Sequence, residues 1–299
     1  MQVKYAHEAT RFDLSDDQQA MLNHLSEFGY AVVANVADEA QIRRAKDSFW
    51  EFWENDTRRV GLNRYNPSTW KNWVANGATG IMVSSGGTNH SDFHWNTRTL
   101  PKVKEAFAKI WKTHELVVSF DAGGVFRDWR YDLRWLTNGG WWHVDQNARR
   151  GKHRQGLQAV QGLVTYYDST AETGGLCVIP GSHKEHHSLC ERAPGASMNM
   201  DFVPVPKNDP IFQMRENASI STSTGEASDG VGILICAKAG DLILWDSRLV
   251  HCNTPALSQV NHHQEVLDKK AGSDYLDRLA PLPSETCTAA PQPQPQPQP

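Results

Sequence analysis

The first part of the chain switches between helical and extended hydrophobic periods. Met21, Leu22, Leu25 and Phe28 recur at intervals of three and four, as on one face of a helix. Ser15 and Gln18 predict a capping box in front of that helix, and Gly29 predicts its end. The run YAVVANV, residues 30–36, is short and β-branched and reads as a strand. Ile42, Ala45, Phe49, Phe52 and Trp53 then mark one side of a second helix. Val103, Phe107, Ile110 and Trp111 mark a third, over 101–113. Residues 54–100 between them are rich in Asn, Gly, Ser, Thr and Trp, and read as long loops with short irregular elements.

Beyond residue 115 the pattern changes. Short apolar runs stand between turn residues: LVVSFD (116–121), GWWHVD (140–145), AVQGLVTYYD (159–168), GGLCVIP (174–180), VGILICA (231–237), GDLILWD (240–246) and LVHCN (249–253). Strands this short, with no helices between them, predict an antiparallel sandwich or barrel. The fold class is therefore α+β, one domain over residues 1–280. Helices dominate to about residue 115 and brace a β-core over 116–280. Residues 181–230 are polar and mixed, and read as a long excursion between core strands. The tail from 281 ends in PQPQPQPQP. Every second residue there lacks an amide hydrogen, so this tail is expected to be extended and disordered.

Composition narrows the class. With 39% hydrophobic and 21% charged residues, the 299-residue chain reads as soluble and globular. Its net charge of -4 gives no reason to expect a nucleic-acid partner or an anionic membrane surface. No apolar run suits a bilayer, and MQVKYAHEATRFDLSDD has no secretory apolar core. The C-terminus is no peroxisomal tripeptide, so a cytoplasmic location is expected. Five widely spaced cysteines without a CxxC argue against a disulfide framework and against a thiolate zinc site. Eleven tryptophans point to an aromatic core, or to a pocket for a bulky apolar ligand.

The chemistry starts from His143-Val144-Asp145. Alternation along a strand puts both side chains on one face, and two histidines with one carboxylate form the facial triad of non-haem iron oxygenases. A third ligand from a later strand would complete it, and His251 in LVHCN has that position. His90-Ser91-Asp92 is a rival, but it sits in the Gly- and Asn-rich GGTNHSDFHW and reads as a solvated loop. The HKEHH run, 183–187, is not a zincin motif and reads as another solvated loop.

WWHVDQN, QGLVTYYDSTAETGGLCVIPGSHKEH and AGDLILWDSRLVHCNTPA, in that order, closely resemble the phytanoyl-CoA dioxygenase (PhyH-like) family. FGYAVVANVADEAQI and AFAKIWKTHELVVSFDAGGVFRDW resemble its N-terminal portion, so the likeness covers about residues 14–257. The resemblance implies a double-stranded β-helix (jelly-roll, cupin-like) core. It implies Fe(II) held by His143, Asp145 and His251, with 2-oxoglutarate as co-substrate and O2 as oxidant. The implied reaction hydroxylates a C–H bond of a small organic substrate and releases succinate and carbon dioxide. Halogenating relatives carry a small residue where Asp145 stands, so hydroxylation is the implied outcome.

The family's usual basic anchor for the far carboxylate of 2-oxoglutarate is missing, because NTPALSQVNHHQEV holds no Arg or Lys. Arg278 is the candidate anchor, if a loop is inserted before the last strand. Asn253 and Arg127 are further candidates for the co-substrate. Gln161 and Gln146 could line the iron site, and at most one of Trp141 and Trp142 can face it. Two other readings stay open here: a jelly-roll binding protein with a vestigial metal site, and a zinc hydrolase on the same ligands. The tryptophan content favours an apolar substrate.

Overall fold

The computed structural model describes residues 5–55, 61–72, 81–82, 87–121, 123–126, 135–193, 197–212 and 232–257. Among them, no helix is long and apolar enough to cross a membrane. Two sheets carry the architecture. The larger has the order β1 (Tyr5–Glu8), β10 (Ile233–Cys236), β8 (Gly175–Val178), β12 (His251–Thr254), β6 (His143–Val144) and β9 (Val203–Pro204). The smaller has the order β2 (Arg11–Phe12), β3 (Tyr30–Val33), β11 (Leu242–Asp246) and β7 (Val160–Val164). A two-residue pair, β4 (Ile81–Met82) with β5 (Gly123–Gly124), stands apart. Apart from β1 on β10 and β2 on β3, the ladders are antiparallel.

Period-2 alternation explains how the layers pack. In β11, Leu242 and Leu244 face the helices α1 (Gln18–Phe28), α2 (Glu39–Glu54) and α4 (Pro101–Trp111), while Ile243 and Trp245 face the opposite sheet. In β3, Ala31 and Val33 join the helix-side cluster, and Tyr30 and Val32 the inner one. Both faces of these strands are covered, so each reads as an unbroken apolar run. Leu176 and Val178 of β8 and Ile233 and Ile235 of β10 complete the inter-sheet core. The outer face of the larger sheet, with Trp142, Val144, Cys177 and Cys252, lies under α5 (His186–Arg192) and the 203–212 segment. The fold is a jelly roll with α+β composition, as the strand pattern and the resemblance imply.

Strand β2 is tied electrostatically to the residue before β11. Arg11 forks onto Asp241, with Nε and Nη2 each donating at 2.8 Å. The Asp241 side chain is fully buried and also accepts from the backbone N–H groups of Asn35 and Lys238.

Several sequence expectations change. Helix α1 begins at Gln18 behind Asp17 with no side-chain cap; Ser15 Oγ instead donates to Asp13, so the Ser15 capping box does not form. The box stands at α2, where Asp38 accepts from Gln41 N–H and the Gln41 side chain reaches back to Asp38 N–H. Gly29 does end α1, at φ 80°. LVVSFD is not a strand. Leu116, Val117, Val118 and Phe120 are exposed and pair with no strand among the described residues. The loop-like region hides α3 (Asp92–Arg98), capped by the Ser91 side chain. The short polar sequence before it conceals that helix because a cap and a Ser are turn residues too.

Candidate metal centre

His143 and Asp145 leave the end of β6 on the inner face, while Trp142 and Val144 between and beside them point into the outer core. His251 opens β12, which pairs antiparallel with β6 so that His251 stands directly opposite His143. Their rings lie 4.2 Å apart. His143 Nε2 is 3.5 Å from Asp145 Oδ1, and His251 Nε2 is 3.3 Å from Asp145 Oδ2. Backbone bonding fixes the carboxylate's position, since Asp145 N–H donates to Ser247 O at 2.8 Å.

The imidazoles are oriented from behind. His143 Nδ1 donates to Trp141 O at 3.1 Å, and His251 Nδ1 donates to Leu249 O at 2.9 Å. A carbonyl only accepts, so Nδ1 carries the proton and a neutral ring turns its Nε2 lone pair toward the carboxylate. Burial lowers the His251 pKa despite the opposing pull of Asp145. Burial alone would raise the Asp145 carboxyl; His143 and His251 outweigh it and hold it below the usual carboxylate range only when their rings also carry a proton at Nε2. Two lone pairs and a carboxylate converging within 4.8 Å repel one another unless a cation sits between them. The donor set, two nitrogens and one carboxylate on one side, fits Fe(II) with open positions opposite.

Around the triad, Gln161 Nε2 donates to Asp145 Oδ2 at 2.9 Å from β7. Trp141 stacks on His143 at 4.9 Å and 11°, and Phe202 stacks on it at 4.6 Å and 28°. Trp245 lies 5.6 Å from the His251 ring.

The structure sorts the sequence candidates. His143, Asp145, His251 and Gln161 come together. Asn253 is half-buried on β12, two residues past His251 and on the same side of the strand. Arg127 and Arg278 lie outside the described residues, as does the tail from 281. Gln146 is not at the iron site: its amide donates to Arg154 O and Gly156 O and accepts from Ser247 Oγ. Of the tryptophan pair, Trp141 is at the site and Trp142 is in the core. The HKEHH run is not a solvated loop at His183 and His186, which are 6% and 4% exposed. His183 Nε2 bonds Ser26 O and His186 Nε2 bonds Gln146 O, while Gly181 N–H donates to Phe28 O. Ser182 Oγ accepts from Val250 N–H, so the PGSH segment ties the end of α1 to the strand that carries His251. The rival His90-Ser91-Asp92 is a helix start whose histidine ring lies against Phe120 at 4.8 Å.

Phe202 and Trp245 were not among the sequence candidates. Trp245 had a signal, because alternation in GDLILWD puts it with Ile243 on the inner face. Phe202 had none; its place depends on how the 197–205 segment folds back over β6.

The chain is similar to known proteins. A protein of Aspergillus versicolor named "Ava biosynthesis cluster protein O" is 32% identical over 248 residues, which cover 80% of this chain and 73% of that one. A Dictyostelium discoideum protein named "Putative phytanoyl-CoA dioxygenase" is 24% identical over 258 residues, 75% of this chain and 67% of that one. The crystal structure of EvdMO1 matches with a TM-score of 0.45 at 18% identity, over 81% of this chain, and the chain spans 47% of the length of EvdMO1. Residues 25–260 match the profile of Phytanoyl-CoA dioxygenase (PhyH), which takes in both strands of the triad, and the chain belongs to that family.

Proposed function

We propose that the protein is an Fe(II)- and 2-oxoglutarate-dependent dioxygenase that hydroxylates a C–H bond of a small apolar substrate. The observation that carries this reading is the pair of Nδ1-anchored histidines whose Nε2 atoms converge on Asp145. When bound, Fe(II), 2-oxoglutarate and O2 supply oxidative decarboxylation to succinate and carbon dioxide, and oxygen transfer to the substrate. His143, Asp145 and His251 hold the metal, and backbone carbonyls keep both rings in the ligating tautomer. Gln161 fixes one carboxylate oxygen of Asp145, so the other can turn toward the metal. A carboxylate at 145 occupies the position that halogenating relatives leave small, which favours hydroxylation.

The surroundings favour an apolar substrate. Phe202 covers one side of His143 while staying 40% exposed, and Met198 and Met200 on the same segment are also exposed. An aromatic side chain beside a metal ligand sheds water readily, and thioethers on the same segment adapt to apolar shapes.

The test is succinate formation by protein loaded anaerobically with Fe(II), supplied with 2-oxoglutarate and then exposed to air. Succinate from the wild type and none from His143→Ala supports the reading. Bound iron with neither succinate nor 2-oxoglutarate binding would overturn it.

A further inference from the structure

Among the described residues, two buried side-chain polar atoms that border the triad lack a hydrogen-bond partner: Gln161 Oε1 and Trp245 Nε1. They belong to one cross-strand pair, because Trp245 of β11 stands directly opposite Gln161 of β7. Gln161 spends its amide N–H on Asp145. Trp245 is 9% exposed, packs in the cluster of Ile243, Val32 and Leu249, and its N–H makes no hydrogen bond, not even to the Gln161 Oε1 of the opposite strand. A buried indole N–H normally finds an acceptor, and leaving it bare is costly. Its ring borders the His251 ring, on the sheet facing the one that holds both histidines.

We infer that Trp245 donates its indole N–H to the carboxylate of the 2-oxo acid co-substrate remote from the metal. This rests on the proposed function above. Four features favour a carboxylate. The indole N–H is a donor only, so its partner must be an acceptor. It is buried against the apolar inter-sheet core, where a neutral donor to an anion is worth more than in water. The stretch after His251, as far as Val266, contains no Arg or Lys, so a neutral donor has more of the anchoring to do. Trp245 also comes from the centre of the smaller sheet, flanked by β3 and β7, which makes it a rigid positioning group.

The experiment titrates 2-oxoglutarate anaerobically into Fe(II)-loaded wild type and Trp245→Phe, following the charge-transfer absorption of the iron–2-oxo acid chelate. The titration is repeated with 2-oxovalerate, which has a methyl group in place of the second carboxylate. The expected result is about a ten-fold or greater weakening of 2-oxoglutarate binding in Trp245→Phe, in the range of one hydrogen bond to a charged group. Fe(II) affinity and thermal midpoint should change little, and 2-oxovalerate should bind both proteins alike. Equal 2-oxoglutarate affinities would overturn the inference while leaving the oxygenase reading intact. An equal loss with 2-oxovalerate would also overturn it, by making Trp245 a packing residue. No chelate band in the iron-loaded wild type would remove the oxygenase reading and this inference together.

Discussion

His143 and His251 face each other across one antiparallel step, with ring centroids 4.2 Å apart, although they lie in distant parts of the chain. Each ring is pinned at Nδ1 by the carbonyl two residues before it. Replacing either with alanine removes one of three ligands. Bound iron is expected to fall from about one per chain to near zero, measured by elemental analysis after desalting. Chelation should lower the thermal midpoint of the wild type and leave that of either variant unchanged, because a metal bound to the native state stabilises by mass action.

Gln161 touches the metal ligand and, in the proposed role, not the metal. Gln161→Leu keeps the size and removes the bond to Asp145 Oδ2. Loss of a partner of this kind weakens metal affinity about 10–100-fold. Competition with a fluorescent chelator measures it, and an unchanged affinity would show that Asp145 is held by its backbone alone.

Gly174 and Gly181 frame the same strand but differ in surroundings. At Gly174, φ is 74° and a Cβ would sit 2.4 Å from Thr254 O and 2.7 Å from Pro255 C, backbone atoms that cannot swing away. Gly174→Ala is expected to cost about 2–4 kcal/mol through strain and overpacking. At Gly181, φ is 79° and nothing lies within 4 Å, so Gly181→Ala should cost about 1 kcal/mol from backbone conformation alone. Denaturant unfolding of both variants gives the comparison.

Asp241 is a buried charge with a fork of three partners, so removing it is not the same as removing Arg11. Asp241→Ala strips the acceptor from Arg11 and from two backbone N–H groups, and the donors left bare should together cost about 3–5 kcal/mol. Arg11→Ala leaves the carboxylate with those N–H groups, and should cost about 1–2 kcal/mol. Equal losses would mean that the ion pair itself carries the stability.

His94 gives the fold an acid-sensitive point away from the metal centre. Burial, reinforced by the Arg98 cation, pushes its pKa down from 6.5 to about 4. The folded state therefore resists protonation that the unfolded state accepts. Stability from this group is complete above pH 6.5 and falls as pH drops from 6.5 to about 4, with no further loss below. In His94→Gln, the decline in thermal midpoint over that window should be shallower than in the wild type.

What the sequence by itself determined follows from local rules. Alternation placed His143 with Asp145, and Leu242 and Leu244 opposite Ile243 and Trp245, because a strand has a period of two whatever it pairs with. Helical periods found α1, α2 and α4, and the order of motifs identified the family. Tertiary structure decided the rest. LVVSFD has strand-like residues but no partner strand among those described, and a ladder needs two sides. HKEHH looks like surface, yet His183 and His186 are buried because α1 and Gln146 supply carbonyls that no local pattern announces. Gln146 and Gln161 are both strand-end amides in sequence; only the pairing of β7 with β11 and the turn after β6 sent Gln161 to Asp145 and Gln146 to loop carbonyls. Hydrophobic pattern fixes which face a residue takes, whereas the partner it meets there depends on chain segments far away, whose approach is set by packing.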